Sequence, residues 1–294
     1  QEFIMPHIVN LACGLANRMF QYSYFIYLSN NGYDAEVDVY ESGTLAHERV
    51  DWARIFPNAT FPQANRAKVW LMGGAFDVIS RARRKFLPGS TAVMQMPTAY
   101  DAFLPAKDAR SKYIIGVFQR ADMVEAVADK VRKAFAFTPF EDAYNIGIAK
   151  QIASCNSVAI HVRKGKDYQS RVWYQNTCPI EYYKKAVEVI RQKVDNPKFF
   201  VFCDNKQWVK DNFGWLDYTL VDGNPGVGYG CHFDIQLMSQ CRHNIISNST
   251  YSWWGAYLNS HDDKIVILPK VWFNPSSCED YTSEPLACKG WIQL

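Results

Sequence analysis

The sequence predicts an α/β protein with parallel, Rossmann-like sheets, on three observations. The chain has 294 residues, too many for one small core and suited to two compact domains. It opens as strand, glycine-containing turn and helix. Its second half alternates short β-branched apolar runs with helical stretches, the pattern of a parallel sheet with right-handed crossovers.

The opening unit is HIVNL (7–11), a turn at Gly14, and the helical run MFQYSYFIYLSNNG that stops at Asn31-Gly32. Residues 33–110 carry prolines at 57, 62, 88, 97 and 105 and read as loops and short helices. YIIGVFQ (113–119) reads as a buried strand, and a helix follows over 121–136, ended by Thr138-Pro139. Beyond it SVAIHV (157–162), FFVFCD (199–204), YTLVD (218–222), NIIS (244–247) and KIVILP (264–269) are strands. The helices between and after them span 179–194, 205–213, 233–243 and 251–260. A domain boundary is expected near 140–156, giving domains of 1–150 and 151–294.

Hydrophobic residues make up 48% and charged ones 21%, the balance of a globular chain. A net charge of +3 argues against a general nucleic-acid surface, and Arg81-Ala-Arg83-Arg84-Lys85 reads as a solvated face. The eight cysteines show no paired spacing, so they predict free thiols and a reducing cytoplasm. No apolar run reaches membrane-spanning length and no signal peptide is visible, which again predicts a cytoplasmic protein. Of two glycosylation sequons, Asn58 and Asn248, the second sits in a segment where a glycan would be intolerable. Cys241 and His243 stand alone, with no metal-ligand spacing around them.

Ligands of parallel α/β sheets bind outside the carboxyl ends of the strands. His161, Arg163, Lys164, Lys166 and Asp167 all follow the strand 157–162 directly. Alternation sends His161 and Arg163 to one side and Val162 to the other. Arginine suits bidentate recognition of phosphate, and lysine adds a point charge. Asn248, Ser249 and Thr250 fall at a helix N-terminus, which offers hydroxyls and backbone N–H groups to an anion or to the helix itself. Trp253 and Trp254 read as core. GNPGVGYG (223–230) lacks the spacing of a dinucleotide fingerprint and reads as a loop, which counts against an oxidoreductase.

Taken together, GLANRMFQY (14–22), HVRKGKDY (161–168), FCDNKQWVKDNF (202–213), DIQLMSQCRHNIISNSTYSWWGAYLN (234–259) and KIVILPKVWF (264–273) resemble glycosyltransferase family 11. This is the α-1,2-fucosyltransferase family, and the chain is most similar to its bacterial members. The resemblance implies a GT-B-like pair of Rossmann-like domains, with the donor in the C-terminal one. It implies inverting, metal-independent transfer of L-fucose from GDP-fucose to the 2-hydroxyl of a galactose-terminated oligosaccharide. By position, Arg163 holds the β-phosphate, His161 lies beside the nucleoside and Asp234 bonds the guanine. Ser249 and Thr250, next to Asn248, match the small hydroxyl residues at the phosphates. Gly14, Asn17 and Gln21 match an N-terminal signature that closes over the donor. Three departures stand out: Ala16 and Arg18 in place of glycine and glutamine, Lys164 in place of a second arginine, and Lys166 inserted before Asp167. Arg18 is a candidate phosphate contact.

With no metal, Arg163, Lys164 and the helix N-terminus must neutralise the departing diphosphate. Asp167 is the first candidate base for the acceptor hydroxyl, or else a salt-bridge partner of Arg163, with Asp204 and Glu181 behind it. Phe118, Gln119 and the aromatics at 173–174 are candidates for the acceptor side. Two other readings share the donor site: a protein O-fucosyltransferase, and a nucleotide-sugar-binding module without catalysis. A lipid-linked acceptor would place the protein at a membrane surface.

Overall fold

The computed structural model describes residues 6–39, 50–74, 78–86, 93–95, 104–105, 111–279 and 281–294, with every side chain there except those of Arg84, Val93, Met94, Gln95 and Asp167. The chain divides into two compact units, residues 1–136 with 227–229 and residues 137–226 with 230–294.

The first unit runs β1 (His7–Asn10), α1 (Leu15–Asn30), β2 (Ala35–Asp38), α2 (Trp52–Ile55), α3 (Arg66–Leu71), α4 (Val78–Phe86), β3 (Val93–Gln95), β4 (Tyr113–Ile115), α5 (Ala121–Glu125) and α6 (Ala128–Ala134). Its strands pair in parallel in the order β2-β1-β4-β3. All of β1 is buried, as is most of α1, so both read as apolar runs. β2 and β3 correct the expectation of loops and short helices over 33–110. The acids in AEVD hide β2, yet Asp38 is buried because the Tyr113 hydroxyl donates to it at 2.6 Å. The strand expected over 113–119 ends at Ile115, and Phe118 turns the chain with φ of 50° and stacks on Tyr24 at 3.9 Å. The single helix expected over 121–136 is two, because Val127 leaves helical geometry at φ −129°, ψ 25°.

The second unit runs α7 (Ala143–Ala153), β5 (Ser157–Val162), α8 (Lys166–Ser170), a 3-10 turn (Val172–Tyr174), α9 (Ile180–Lys193), β6 (Lys198–Cys203), α10 (Lys206–Asn212), β7 (Tyr218–Val221), α11 (Phe233–Gln240), β8 (His243–Ile245), α12 (Thr250–Leu258), β9 (Val266–Leu268), a second 3-10 turn (Glu284–Leu286) and β10 (Ile292–Gln293). A division at 150 would fall inside α7, whose Asn145 bonds Asn224 at 2.8 Å within this unit. The six strands are all parallel in the order β10-β9-β8-β5-β6-β7. The chain builds outward from β5 through β6 to β7, then returns to β5's other flank as β8. That reversal is the topological switch point, where a crevice opens beyond the strand ends.

β5 is buried along its whole length, which is why its sequence is a continuous apolar run. Val158, Ile160 and Val162 join Tyr183, Ala186, Val187 and Ile190 of α9 in one apolar cluster, leaving His161 to the opposite face. Trp253 and Trp254 are fully buried, as their place in the core requires. α12 packs closely on α11 at Gly255, where an added Cβ would lie 2.8 Å from that of Met238. All eight cysteines are free thiols. Among the described residues no helix is long and apolar enough to cross a membrane.

Candidate functional site

The ends of β5 and β8, side by side at the switch point, bring His161, Arg163, Ser247 and Asn248 together. His161 Nδ1 lies 2.7 Å from the Ser247 hydroxyl. Burial, with the nearby Arg163 charge, pushes this imidazole down to about 3. It is therefore a neutral hydrogen-bonding ring across the working pH range. Arg163 donates from one terminal nitrogen to the Asn248 carbonyl at 3.1 Å and lies 4.1 Å over the Tyr174 ring. Among the described residues its remaining N–H groups make no hydrogen bond. Asn248 is 1% exposed and its Nδ2 donates to the Trp272 carbonyl at 3.1 Å, so this sequon nitrogen has no room for a glycan. The other sequon, Asn58, is exposed.

Ser249 is the N-cap of the nine-residue α12, in extended geometry, and its side chain makes no capping bond. The first-turn N–H groups of α12 thus keep a positive end close to the Arg163 guanidinium. Thr250 is the first residue of the helix.

Lys164 is placed differently from Arg163. Its ammonium is buried, donates to the Tyr168 hydroxyl at 2.7 Å, and lies over the rings of Tyr168 and Trp208. Its backbone N–H donates to Asp204 Oδ1 at 2.6 Å. Asp204, just beyond β6, is thereby a clamp on the turn after β5, and burial raises its pKa despite the backbone N–H groups of Lys164, Gly165 and Asp204 itself and the Arg163 charge around it. Gly165 completes the clamp: a Cβ there would meet Asp204 Oδ2 at 2.7 Å. Lys166 opens α8 and is exposed. The Asp167 side chain, the first candidate base, lies outside the described residues, and Glu181 is exposed in the first turn of α9.

Asp234 lies in the first turn of α11, where burial raises its carboxyl to about 6 and Asn224 Nδ2 donates to it at 2.8 Å.

In the first unit, Cys13 takes φ of 69° and Gly14 caps α1 with φ −70°, without a side-chain cap. Ala16 sits inside the helix, where alanine is favoured over glycine. Gln21 is committed at both ends of its amide, accepting from Ala12 N–H at 2.9 Å and donating to the Gly116 carbonyl at 2.8 Å. It braces the turn after β1 against the end of β4. Arg18 is buried, its Nε donating to the Cys13 carbonyl at 2.8 Å, and Asn17 accepts from Gln119 at 3.2 Å.

Sequence reasoning passed over Ser247, Gly165, Tyr168 and Trp208, and treated Asp204 only as a reserve base. Ser247 was findable, since it ends the apolar run NIIS, as His161 stands at the penultimate position of the run SVAIHV. Gly165 was not, because its constraint comes from a carboxylate on the next strand.

The sequence model of glycosyl transferase family 11 matches residues 91–294. The O-antigen biosynthesis glycosyltransferase WbnK of Escherichia coli is 32% identical over 190 residues, 62% of this chain and 60% of that protein, under two thirds of its length. An α-1,2-colitosyltransferase of Escherichia coli is 27% identical over 300 residues, 98% of each chain. Among solved structures, an Arabidopsis thaliana FUT1 mutant in complex with GDP aligns over 91% of this chain and 71% of its own, at 11% identity and TM-score 0.51. That likeness shows the fold, α/β and GT-B-like with two Rossmann-like units, and the match over most of the length shows the lineage: this chain belongs to glycosyl transferase family 11.

Proposed function

We propose that the chain transfers L-fucose from GDP-fucose to the 2-hydroxyl of a terminal galactoside, in α-1,2 linkage and with inversion. The carrying observation is the Arg163 guanidinium, held at the N-terminus of α12 by the Asn248 carbonyl with its other donors uncommitted among the described residues. The acceptor oxygen attacks C1 of fucose, the bond from C1 to the β-phosphate oxygen breaks, and its electron pair leaves on GDP. The acceptor proton passes to a base. Arg163 and the α12 N–H groups meet the charge that develops on the diphosphate, so a divalent metal is not needed in this reading. The unit of residues 137–226 with 230–294 holds the donor, and the unit of residues 1–136 with 227–229 contributes to the acceptor side. His161 presents a neutral ring to the nucleoside, and Asp234 accepts from the guanine. Eight free thiols and the buried Asn248 support a cytoplasmic enzyme.

The test is incubation with GDP-fucose and lactose in the presence of EDTA. Fucosyl-lactose with the sugar on O2 of galactose is expected. Absence of product from every galactoside offered, with GDP-fucose still hydrolysed, would move the acceptor to another class, a polypeptide included. Donor turnover that is absent altogether leaves only a binding module. The full-length colitosyltransferase relative favours a second donor, so GDP-colitose belongs in the same assay. Faster transfer from it would replace fucose in this reading.

Asp234 gives the reading a pH signature. Its folded pKa of about 6 is above the ordinary value of 3.8, so the stability linked to its neutral form is full below 3.8 and is lost as pH rises through 6. Guanine recognition needs the carboxylate and has the opposite sign. GDP affinity is therefore expected to fall about tenfold per pH unit below 6. Calorimetry between pH 4.5 and 8 checks this, and a flat profile, or one unchanged in Asp234→Asn, would remove Asp234 from the guanine site.

A further inference from the structure

We infer that the 3-10 turn Val172–Tyr174 is the platform for the acceptor sugar, with the indole of Trp173 stacked on a pyranose ring of the galactoside. The inference rests on the proposed donor site and extends it to the acceptor.

Trp173 is 45% exposed and its neighbour Val172 is 56% exposed, side by side on a turn of three residues. The exposed part of large apolar side chains so placed gains nothing from the core, whereas a sugar face can cover it. The turn beneath is held on several sides. Asn274 donates its backbone N–H to the Trp173 carbonyl at 2.7 Å and its Nδ2 to the Val172 carbonyl at 3.1 Å. Thr177 Oγ1 donates to the Tyr174 carbonyl at 2.8 Å. Asn274 is itself fixed by the Ser276 N–H and hydroxyl, which donate to its Oδ1. A platform pinned at consecutive carbonyls loses little freedom when a ligand settles on it.

The position fits the reaction. Tyr174 is packed between the Arg163 guanidinium, 4.1 Å over its ring, and the ring of Phe273 at 6.3 Å. Trp173 stands one ring further on, edge to face with Tyr174 at 6.2 Å. An acceptor has to lie about one sugar ring from the diphosphate, because fucose is the only group between them. In galactose the axial 4-hydroxyl leaves the C–H groups of C3, C4 and C5 on one face, an apolar patch suited to an indole. The Arg171 guanidinium lies over the Trp173 ring, 5.8 Å from its centre, leaving the other face of the indole to a sugar and offering N–H donors to its hydroxyls. The ligand class is thus a β-galactoside presented by its apolar face.

The experiment measures KM and kcat for lactose with wild type, Trp173→Ala and Trp173→Phe, and GDP affinity by calorimetry for all three. Loss of the ring is expected to raise the lactose KM about tenfold, with a smaller change in kcat. Phenylalanine should recover most of that loss, and GDP affinity should stay within about twofold, which also shows that the variants fold. A lactose KM unchanged in Trp173→Ala, or a fall in kcat alone, overturns the platform while leaving the donor site standing. A wild-type protein that fails to bind GDP overturns the donor reading and the platform together. A phenylalanine variant as impaired as alanine also overturns stacking as the interaction.

Discussion

Replacing Arg163 by alanine is expected to weaken GDP binding by about 30- to 100-fold and to lower kcat/KM by about 100- to 1000-fold. A hydrogen bond to a charged group contributes roughly 1.5–3 kcal/mol, and a donor aimed at charge that builds in the transition state gives more to kcat than to binding. The guanidinium is steered by the Asn248 carbonyl and the Tyr174 ring, both of which constrain a planar fork. Arg163→Lys should therefore recover the charge without the geometry and fall between wild type and alanine. Calorimetry with GDP and initial rates over a range of GDP-fucose concentrations read both effects. Equal GDP affinity in wild type and Arg163→Ala would sink the assignment of the diphosphate to this end of β5.

Gly165→Ala should be the next most damaging change, for a reason of space alone. The new Cβ would stand 2.7 Å from Asp204 Oδ2 and 2.9 Å from its Cγ, so the carboxylate has to move. Moving it loosens the bond from the Lys164 backbone N–H, the link between the turn after β5 and the end of β6. A stability loss of about 1–3 kcal/mol is expected from the overpacking. An ångström of displacement carried to Arg163 should lower kcat/KM by about 100-fold. Asp204→Ala is harmful too, since it strands a buried N–H, but it removes the clash. The double variant should thus lose less than the sum of the two singles, a coupling that denaturant unfolding of the four proteins measures. Additive losses would mean that Gly165 and Asp204 do not act on each other.

What could be read in advance followed from how each strand is buried. β5, β6 and β9 are covered on both faces, so their apolar runs announced them, and strand alternation placed His161 and Val162 on opposite faces as observed. The same alternation sets Lys164 against Tyr168 and Trp208, away from the Arg163 contacts, although the two cations are adjacent in sequence. β2 was not legible because its Asp38 depends on the Tyr113 hydroxyl, 75 residues on. The break between α5 and α6 falls at Ala126 and Val127, where neither glycine nor proline marks it. The clamp on Gly165 was hidden for the same reason as β2: its partner is distant in the chain, and nothing local records it. Gln21 carried a family signature, yet both ends of its amide hold backbone of its own unit.

The pairing of β5 with β8 has a consequence in time as well as in space. His161 and Ser247 are 86 residues apart, and β6 and β7 lie between them in the chain but not in the crevice. A nascent chain can complete β5, β6 and β7 and display the Arg163 guanidinium beside Tyr174 while Asn248, whose carbonyl also steers it, has yet to be made. Closing so long a loop is slow, and it comes after the local contacts have formed. The cradle therefore matures only with the last third of the polypeptide, and a nucleotide that binds it favours the finished sheet over every earlier intermediate.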